Sequence, residues 1–293
     1  MIIMAEHAGF CFGVKRAVDA ISEALKTHHE VWTIGLPIHN PQEVSRLEAL
    51  GLRVAENDSE IPAGAKVLIR AHGEPLEVTE RLRERGIDVE DMTCPFVRKA
   101  QEKAAELSRE GYYVVLLGDK NHPEIKGIIG HVSDKENSEV IADENEAHNV
   151  QFHPKTALIS QTTQREERLE RIAGILTGKS SELRVCNTIC KATAQRQEAV
   201  RELVRNNNLD GVVLIGGKSS ANTGKLRDIL KSEGGVKSVL WVEDESETEK
   251  NSDWFNGKIM VGIAAGASTP EWLIHKIKNI IAAKQEVQGV LFH

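Results

Sequence analysis

Cys11, Cys94 and Cys190 lie 83 and 96 residues apart in a chain of 293, and each is followed by apolar residues at helical spacing. Val14, Ala17, Val18, Ile21 and Leu25 follow the first; Val97, Ala100, Ala104 and Leu107 the second; Ala194, Ala199, Val200, Leu203 and Val204 the third. Pro95 suits a first helical turn, where no amide donor is needed. A cysteine at the head of a helix meets free amides and the positive end of the helix dipole, which favour the metal-binding thiolate. A single buried cysteine is most often inert core. Three in matched positions point to a ligand set. Zinc could sit on such thiolates, but the close C-x2-C pairing of most structural zinc sites is missing. An iron–sulfur cubane on three thiolates would leave one iron open for substrate. Cys186, four residues before Cys190, corresponds to His7 and Glu90 in the other two stretches and reads as structural.

Polar residues recur at matching distances. His39 and His122 both lie 28 residues beyond a cysteine, and Ser220 lies 30 beyond. A second set falls at His72, at Gln161-Thr162-Thr163 and at Ser268. One histidine alone is usually a satisfied core or surface group; three at equivalent places suggest a shared site that binds an anion and moves protons. Ser220 and Asn222, just before a helix, offer hydroxyl, amide and helix-terminus donors suited to phosphate, although they also serve as ordinary caps. Gly216-Gly217-Lys218-Ser219 lacks the earlier glycine of a P-loop, because Val212 occupies that place. Lys15-Arg16 and Arg98-Lys99 read by default as solvated helix faces, and alternatively as a docking surface for an acidic electron carrier.

The elements that must position these groups alternate between strand and helix. Apolar strands at Val31–Ile34, Tyr113–Leu117 and Val212–Ile215 precede the first polar set; strands at Lys66–Arg70, Thr156–Ser160 and Ile259–Ala264 precede the second. Helices are expected over Pro41–Leu50, Pro75–Arg85, Ile125–His131, Arg165–Leu176, Thr223–Lys231 and Pro270–Ala283. This pattern predicts parallel α/β sheets with ligands beyond the carboxyl ends of the strands. It divides the chain into units 11–93, 94–189 and 190–293. The opening strand, Ile2–Ala5, runs into Cys11 as Val89–Met92 runs towards Cys94, so residues 1–10 are expected to complete the third unit. Asp244–Asp253 reads as a solvated acidic connection; the tail after Gln285 carries no signal.

A net charge of −7 argues against general affinity for nucleic acid. Apolar residues make up 40% of the chain without a run long enough to span a membrane, and the first strand is too short for a signal-peptide core. A cytoplasmic protein is expected, and its widely spaced cysteines favour metal or catalysis over disulfides.

Gly9-Phe10-Cys11-Phe12-Gly13-Val14, Ile38-His39-Asn40, Arg70-Ala71-His72-Gly73, Thr93-Cys94-Pro95, His122-Pro123-Glu124, Gln161-Thr162-Thr163, Ile189-Cys190 and Ala265-Gly266-Ala267-Ser268 together resemble the hydroxymethylbutenyl diphosphate reductase family, also called LytB. The resemblance runs from Cys11 to about Leu273. It implies three α/β units in a pseudo-threefold trefoil around one [4Fe-4S] cluster bound by Cys11, Cys94 and Cys190. It also implies reductive removal of the hydroxyl of (E)-4-hydroxy-3-methylbut-2-enyl diphosphate, giving isopentenyl and dimethylallyl diphosphate, the last step of the non-mevalonate isoprenoid pathway. By the same resemblance His39, His72, Ser220, Asn222 and Ser268 hold the diphosphate, with His122 and Thr162 also against the substrate, and His122, Glu124 and Thr162 serve the hydroxyl and its protonation. Ala221 stands where many members carry a second serine. A ferredoxin- or flavodoxin-type donor and a monomeric chain are expected. An iron–sulfur sensor would leave the histidines and Glu124 idle; an iron–sulfur hydratase would consume no reductant.

Overall fold

In the computed structural model, which describes residues 1–232, 236, 238–287 and 289, one run of elements recurs three times. After strand β1 (Ile2–Met4), the first run comprises α1 (Phe12–Thr27), β2 (Val31–Ile34), α2 (Pro41–Glu48), β3 (Leu52–Ala55), β4 (Lys66–Ile69), α3 (Leu76–Glu84) and β5 (Asp88–Asp91). The second comprises α4 (Pro95–Arg109), β6 (Tyr113–Leu117), α5 (Pro123–Ile129), β7 (Ser138–Ile141), α6 (Glu144–Asn149), β8 (His153–Ser160), α7 (Glu166–Thr177) and β9 (Ser180–Cys186). The third comprises α8 (Lys191–Arg205), β10 (Gly211–Ile215), α9 (Ala221–Ser232), β11 (Val239–Val242), α10 (Glu245–Lys250), β12 (Val261–Ala265) and α11 (Glu271–Val287).

Three four-stranded sheets result, ordered β3-β2-β4-β5, β7-β6-β8-β9 and β11-β10-β12-β1. Every strand pairing among the described residues is parallel. The first strand of the chain fills the place that β5 and β9 hold in their sheets, pairing Ile2 with Val261 and Met4 with Ile263. Parallel strands need long crossovers, and helices supply them. The chain divides into two compact units. One contains Met1–Lys15, Ile38–Arg46 and Lys191–His293, with the β1-containing sheet; the other contains Arg16–Pro37 and Leu47–Cys190, with the remaining two sheets.

Each sheet is apolar on both faces because alternate side chains point opposite ways. In the first unit Val213, Ile215, Val261 and Ile263 pack with Leu273, Ile277 and Ile281 of α11, while Val212, Leu214 and Ala264 pack with Val200 and Leu203 of α8 and Leu226 and Ile229 of α9. In the other unit, Val114 and Leu116 meet Ala100, Ala104 and Leu107 of α4, and Val115 and Leu117 meet Leu169, Ile172 and Leu176 of α7. Full burial of such a side chain contributes roughly 1.5–3 kcal/mol. The helices are thereby fixed on the strands whose ends carry the polar residues.

One sequence expectation is corrected, and three strands join the pattern. The edge strands β3, β7 and β11 are only four residues each, and the first two carry the charged residues Arg53 and Glu139. Asp244–Asp253 is not simply a connection, since it holds α10. Asp244 accepts the Glu247 amide at 2.8 Å, and the Glu247 carboxylate reaches back to the Glu243 amide at 2.8 Å, so both ends of a capping arrangement are present. Among the described residues no helix is long and apolar enough to cross a membrane.

Candidate active site

The three cysteines that head helices are seated by one repeated backbone contact. The Cys94 amide donates to the Ala71 carbonyl at 3.0 Å, Cys190 to Thr162 at 3.0 Å, and Cys11 to Ala267 at 2.9 Å. Each acceptor lies two residues beyond the end of a corresponding strand, β4, β8 or β12. The strand-end loop therefore places both its own polar residue and the thiol that opens the next helix. Pro95 occupies the first turn of α4 as expected. All four cysteines are thiols rather than disulfides. Cys186 ends β9 and packs against the apolar cluster between β6, β8 and α4. Burial pushes its thiol pKa up, which disfavours the thiolate.

The first unit carries Cys11, His39, Ser220, Asn222 and Ser268. Asn40 is fully buried and caps α2, its side chain accepting the Glu43 amide at 2.8 Å. Glu43 is held in turn by Arg46 at 2.6 Å and by the Trp272 indole at 2.9 Å, so the turn after His39 is braced from two helices. Ser268 donates its hydroxyl to the His39 carbonyl at 3.1 Å. A side chain on Gly217 would stand 2.3 Å from the same carbonyl, so only glycine lets the loop after β10 approach it. Gly216, with φ +149, turns that loop into α9. There Ser220 accepts the Thr223 amide at 3.3 Å as a cap. Asn222 is buried, and neither atom of its amide has a hydrogen-bond partner among the described residues. Buried polar atoms of that kind call for a ligand or an ordered water.

The second unit carries Cys94, His72, His122, Glu124, Thr162 and Cys190. His72 and His122 meet edge to face, with ring centroids 5.5 Å apart and planes at 83°. Gly73, with φ +73, turns the chain directly after His72. His122 is the N-cap of α5: its Nδ1 accepts the Glu124 amide at 3.1 Å. That bond requires an unprotonated Nδ1, which leaves Nε2 as the N–H donor of a neutral imidazole.

Glu124 is 2% exposed. Its Oε1 accepts the Thr162 amide at 2.6 Å and its Oε2 accepts the Thr162 hydroxyl at 2.8 Å. Burial raises its pKa to about 7, while the two Thr162 donors pull the other way without overcoming it. A carboxyl with that pKa can hold and release a proton near neutrality.

Of the four basic residues that follow Cys11 and Cys94, two are braces. Arg16 donates to the Thr93 carbonyl at 3.2 Å and Arg98 pairs with Asp91 at 2.8 Å, both next to Cys94. Lys15 and Lys99 are exposed. Sequence reasoning gave no role to Thr188, yet its hydroxyl accepts the Ser160 amide at 3.1 Å and pins the loop before Cys190. Only its place two residues before a cysteine hinted at this.

Residues 2–282 match the family model described as LytB protein. The chain is 43% identical to the 4-hydroxy-3-methylbut-2-enyl diphosphate reductase of Aquifex aeolicus (strain VF5), with 96% of this chain and 95% of the relative covered. It is 42% identical to the enzyme of the same name from Campylobacter jejuni subsp. jejuni, covering 94% and 96%. Among solved structures, that of (E)-4-hydroxy-3-methyl-but-2-enyl diphosphate reductase, titled the terminal enzyme of the non-mevalonate pathway, is 41% identical, with a TM-score of 0.70 over 96% of this chain and 99% of the other. The Plasmodium falciparum E-1-hydroxy-2-methyl-but-2-enyl-4-diphosphate reductase gives a TM-score of 0.88 over 96% and 87%; at 24% identity it speaks to the fold alone.

Proposed function

The chain belongs to the LytB family, and from that premise we propose that it removes the hydroxyl of (E)-4-hydroxy-3-methylbut-2-enyl diphosphate, giving isopentenyl and dimethylallyl diphosphate. The carbon–oxygen bond breaks and a carbon–hydrogen bond forms. Two electrons and two protons enter, and one water leaves.

Cys11, Cys94 and Cys190 are the proposed ligands of one [4Fe-4S] cluster. Three soft sulfur donors, seated by the same backbone contact in each repeat, suit iron and leave a fourth position open. When bound, such a cluster supplies single electrons and a Lewis-acidic iron. Sequence units 11–93, 94–189 and 190–293 with 1–10 each contribute one ligand.

The residues of the chain account for the rest. His39, His72, Ser220, Asn222 and Ser268 are donors for the diphosphate, and anchoring that group holds the allylic carbon in place for the reaction. The unpartnered Asn222 amide is the observation that favours this assignment. Ala221 opens α9 without a hydroxyl, so any contact made there comes from its backbone amide. Hydroxide is a poor leaving group. Glu124 is the acid that delivers the proton to it, and the single observation that carries this role is a carboxyl buried and clasped by two Thr162 donors, a burial that pushes its pKa up to about 7. Thr162 orients the carboxyl and the substrate hydroxyl. His122, with Nε2–H as donor, serves the same hydroxyl.

Anaerobic purification followed by iron and sulfide assays and electron paramagnetic resonance, with and without substrate, tests the function. About four irons per chain and a spectrum altered by substrate are expected. A colourless chain carrying one zinc would overturn it.

The electron donor is proposed to be an acidic protein of the ferredoxin or flavodoxin type, acting on a monomeric chain in the cytoplasm. Lys15 and Lys99 are the exposed cations beside two of the cysteines. Changing both to glutamate should slow reduction by such a protein, with the loss shrinking as salt is raised, while reduction by dithionite stays as in the parent. Equal losses with both reductants would place these lysines in catalysis instead. Arg16 and Arg98 are unsuitable for this test because they brace the Cys94 turn.

A further inference from the structure

Three buried polar atoms on the first turn of α9 lack a hydrogen-bond partner among the described residues: both amide atoms of Asn222 and the hydroxyl of Thr223. Asn222 already belongs to the proposed anion site. Thr223 is assigned to nothing, although it is fully buried. Its surroundings are unusual in one respect. An added Cβ on Gly266 would stand 2.1 Å from the Thr223 oxygen, and one on Gly216 would stand 2.8 Å from it. The hydroxyl therefore occupies space that exists only because two turns, one after β10 and one after β12, carry glycine. Those turns lead to Ser220 and Ser268. Thr269, beside them, satisfies its own hydroxyl by donating to the Ile215 carbonyl at 3.0 Å. The Thr223 amide is capped by Ser220, so its side chain belongs to the same turn as the proposed phosphate donors.

A buried hydroxyl without a partner costs stability, and valine would fill the same shape without that cost. Its presence is explained if binding supplies the partner. We propose that the Thr223 hydroxyl is a working member of the anion site, and that an oxygen of the bound diphosphate completes its hydrogen bonding. This rests on the reading of Ser220, Asn222 and Ser268 as diphosphate donors.

The test is calorimetric titration of the full chain with inorganic pyrophosphate, together with thermal melting of the ligand-free protein. Thr223→Val should weaken binding about tenfold or more, as expected for loss of a hydrogen bond to a charged group, while the ligand-free protein melts at or above the parent temperature. Thr223→Ser should bind within about twofold of the parent. Thr223→Ala, which cannot overfill the space, must show the same loss as valine. Parent-like binding by Thr223→Val or Thr223→Ala would overturn the proposal, as would a serine variant as weak as the valine one, since the methyl would then be the group that matters. Asn222→Ala separates the two readings. If it loses binding while Thr223→Val does not, only the role of Thr223 fails; if it binds like the parent, the anion site itself is misassigned.

Discussion

Exchange of Cys11, Cys94 or Cys190 for serine, one at a time, should each leave a folded chain with little iron and no measurable reductase activity, while Cys186→Ser keeps its iron. Serine presents a hard, protonated oxygen where a soft thiolate is required, and a cubane with two protein ligands is labile. Iron and sulfide per chain and visible absorbance read the loss, and circular dichroism shows that the fold remains. The contrast with Cys186 is the informative arm. That thiol is packed against apolar side chains and burial pushes its pKa upward, a setting that disfavours the thiolate a ligand needs. If Cys186→Ser alone strips the iron, the proposed ligand set is wrong.

Glu124→Gln should lower steady-state reduction by about 10²- to 10⁴-fold, the range a positioned general acid contributes, while the cluster spectrum still responds to substrate. Glutamine retains the shape and can keep both Thr162 contacts, its oxygen accepting the amide and its NH₂ donating to the hydroxyl. It has no acidic proton to give. In the parent, a pKa of about 7 means that the free enzyme loses the required proton above neutrality, so kcat/KM should fall on the alkaline side with a midpoint near that value. In the variant, this limb should vanish.

The same burial has a stability signature of opposite benefit. Glu124 holds its proton more tightly folded than unfolded, so its favourable contribution is complete below the ordinary carboxylate value of 4.5, shrinks as pH rises, and is lost by about 7. Above pH 7 the folded state carries a buried carboxylate. Glu124→Gln should therefore be more stable than the parent at pH 8, by up to about 3 kcal/mol, with no such advantage at pH 4. Denaturant unfolding at the two values measures this. A variant that turns over at the parent rate under saturating reductant would move the acid elsewhere, with the substrate's own diphosphate as the next candidate.

Much of this site was legible in the chain because its repeat is written twice, once in cysteines at helix starts and once in polar residues at strand ends. The spacing of His39 and His122 from their cysteines survives as equivalent places after β2 and β6. What could not be read is whatever depends on atoms brought together from distant sequence. Thr162 gripping Glu124 joins residues 38 apart. The carbonyls of Ala71, Thr162 and Ala267 that seat the cysteines have no side-chain signature at all. Edge strands failed for a different reason: a four-residue strand with a charged residue inside it carries too little periodicity to stand out. The helix at Glu245–Lys250 was readable from Asp244 and Glu247, and its acidic composition obscured the caps.

The pairing of β1 with β12 also sets a timetable for biosynthesis. Ile2 waits for Val261, a separation of 259 residues, and at about 5–20 residues per second translation takes roughly 13–52 s to close that gap. Throughout that interval the earliest apolar strand has no neighbour on the nascent chain and invites chaperone capture. Cys11 shares the delay, because the carbonyl that seats it belongs to Ala267. The turn that seats this thiol consequently closes only after elongation has passed it, and a ribosome stalled before codon 261 would hold a chain in which β1 stays unpaired.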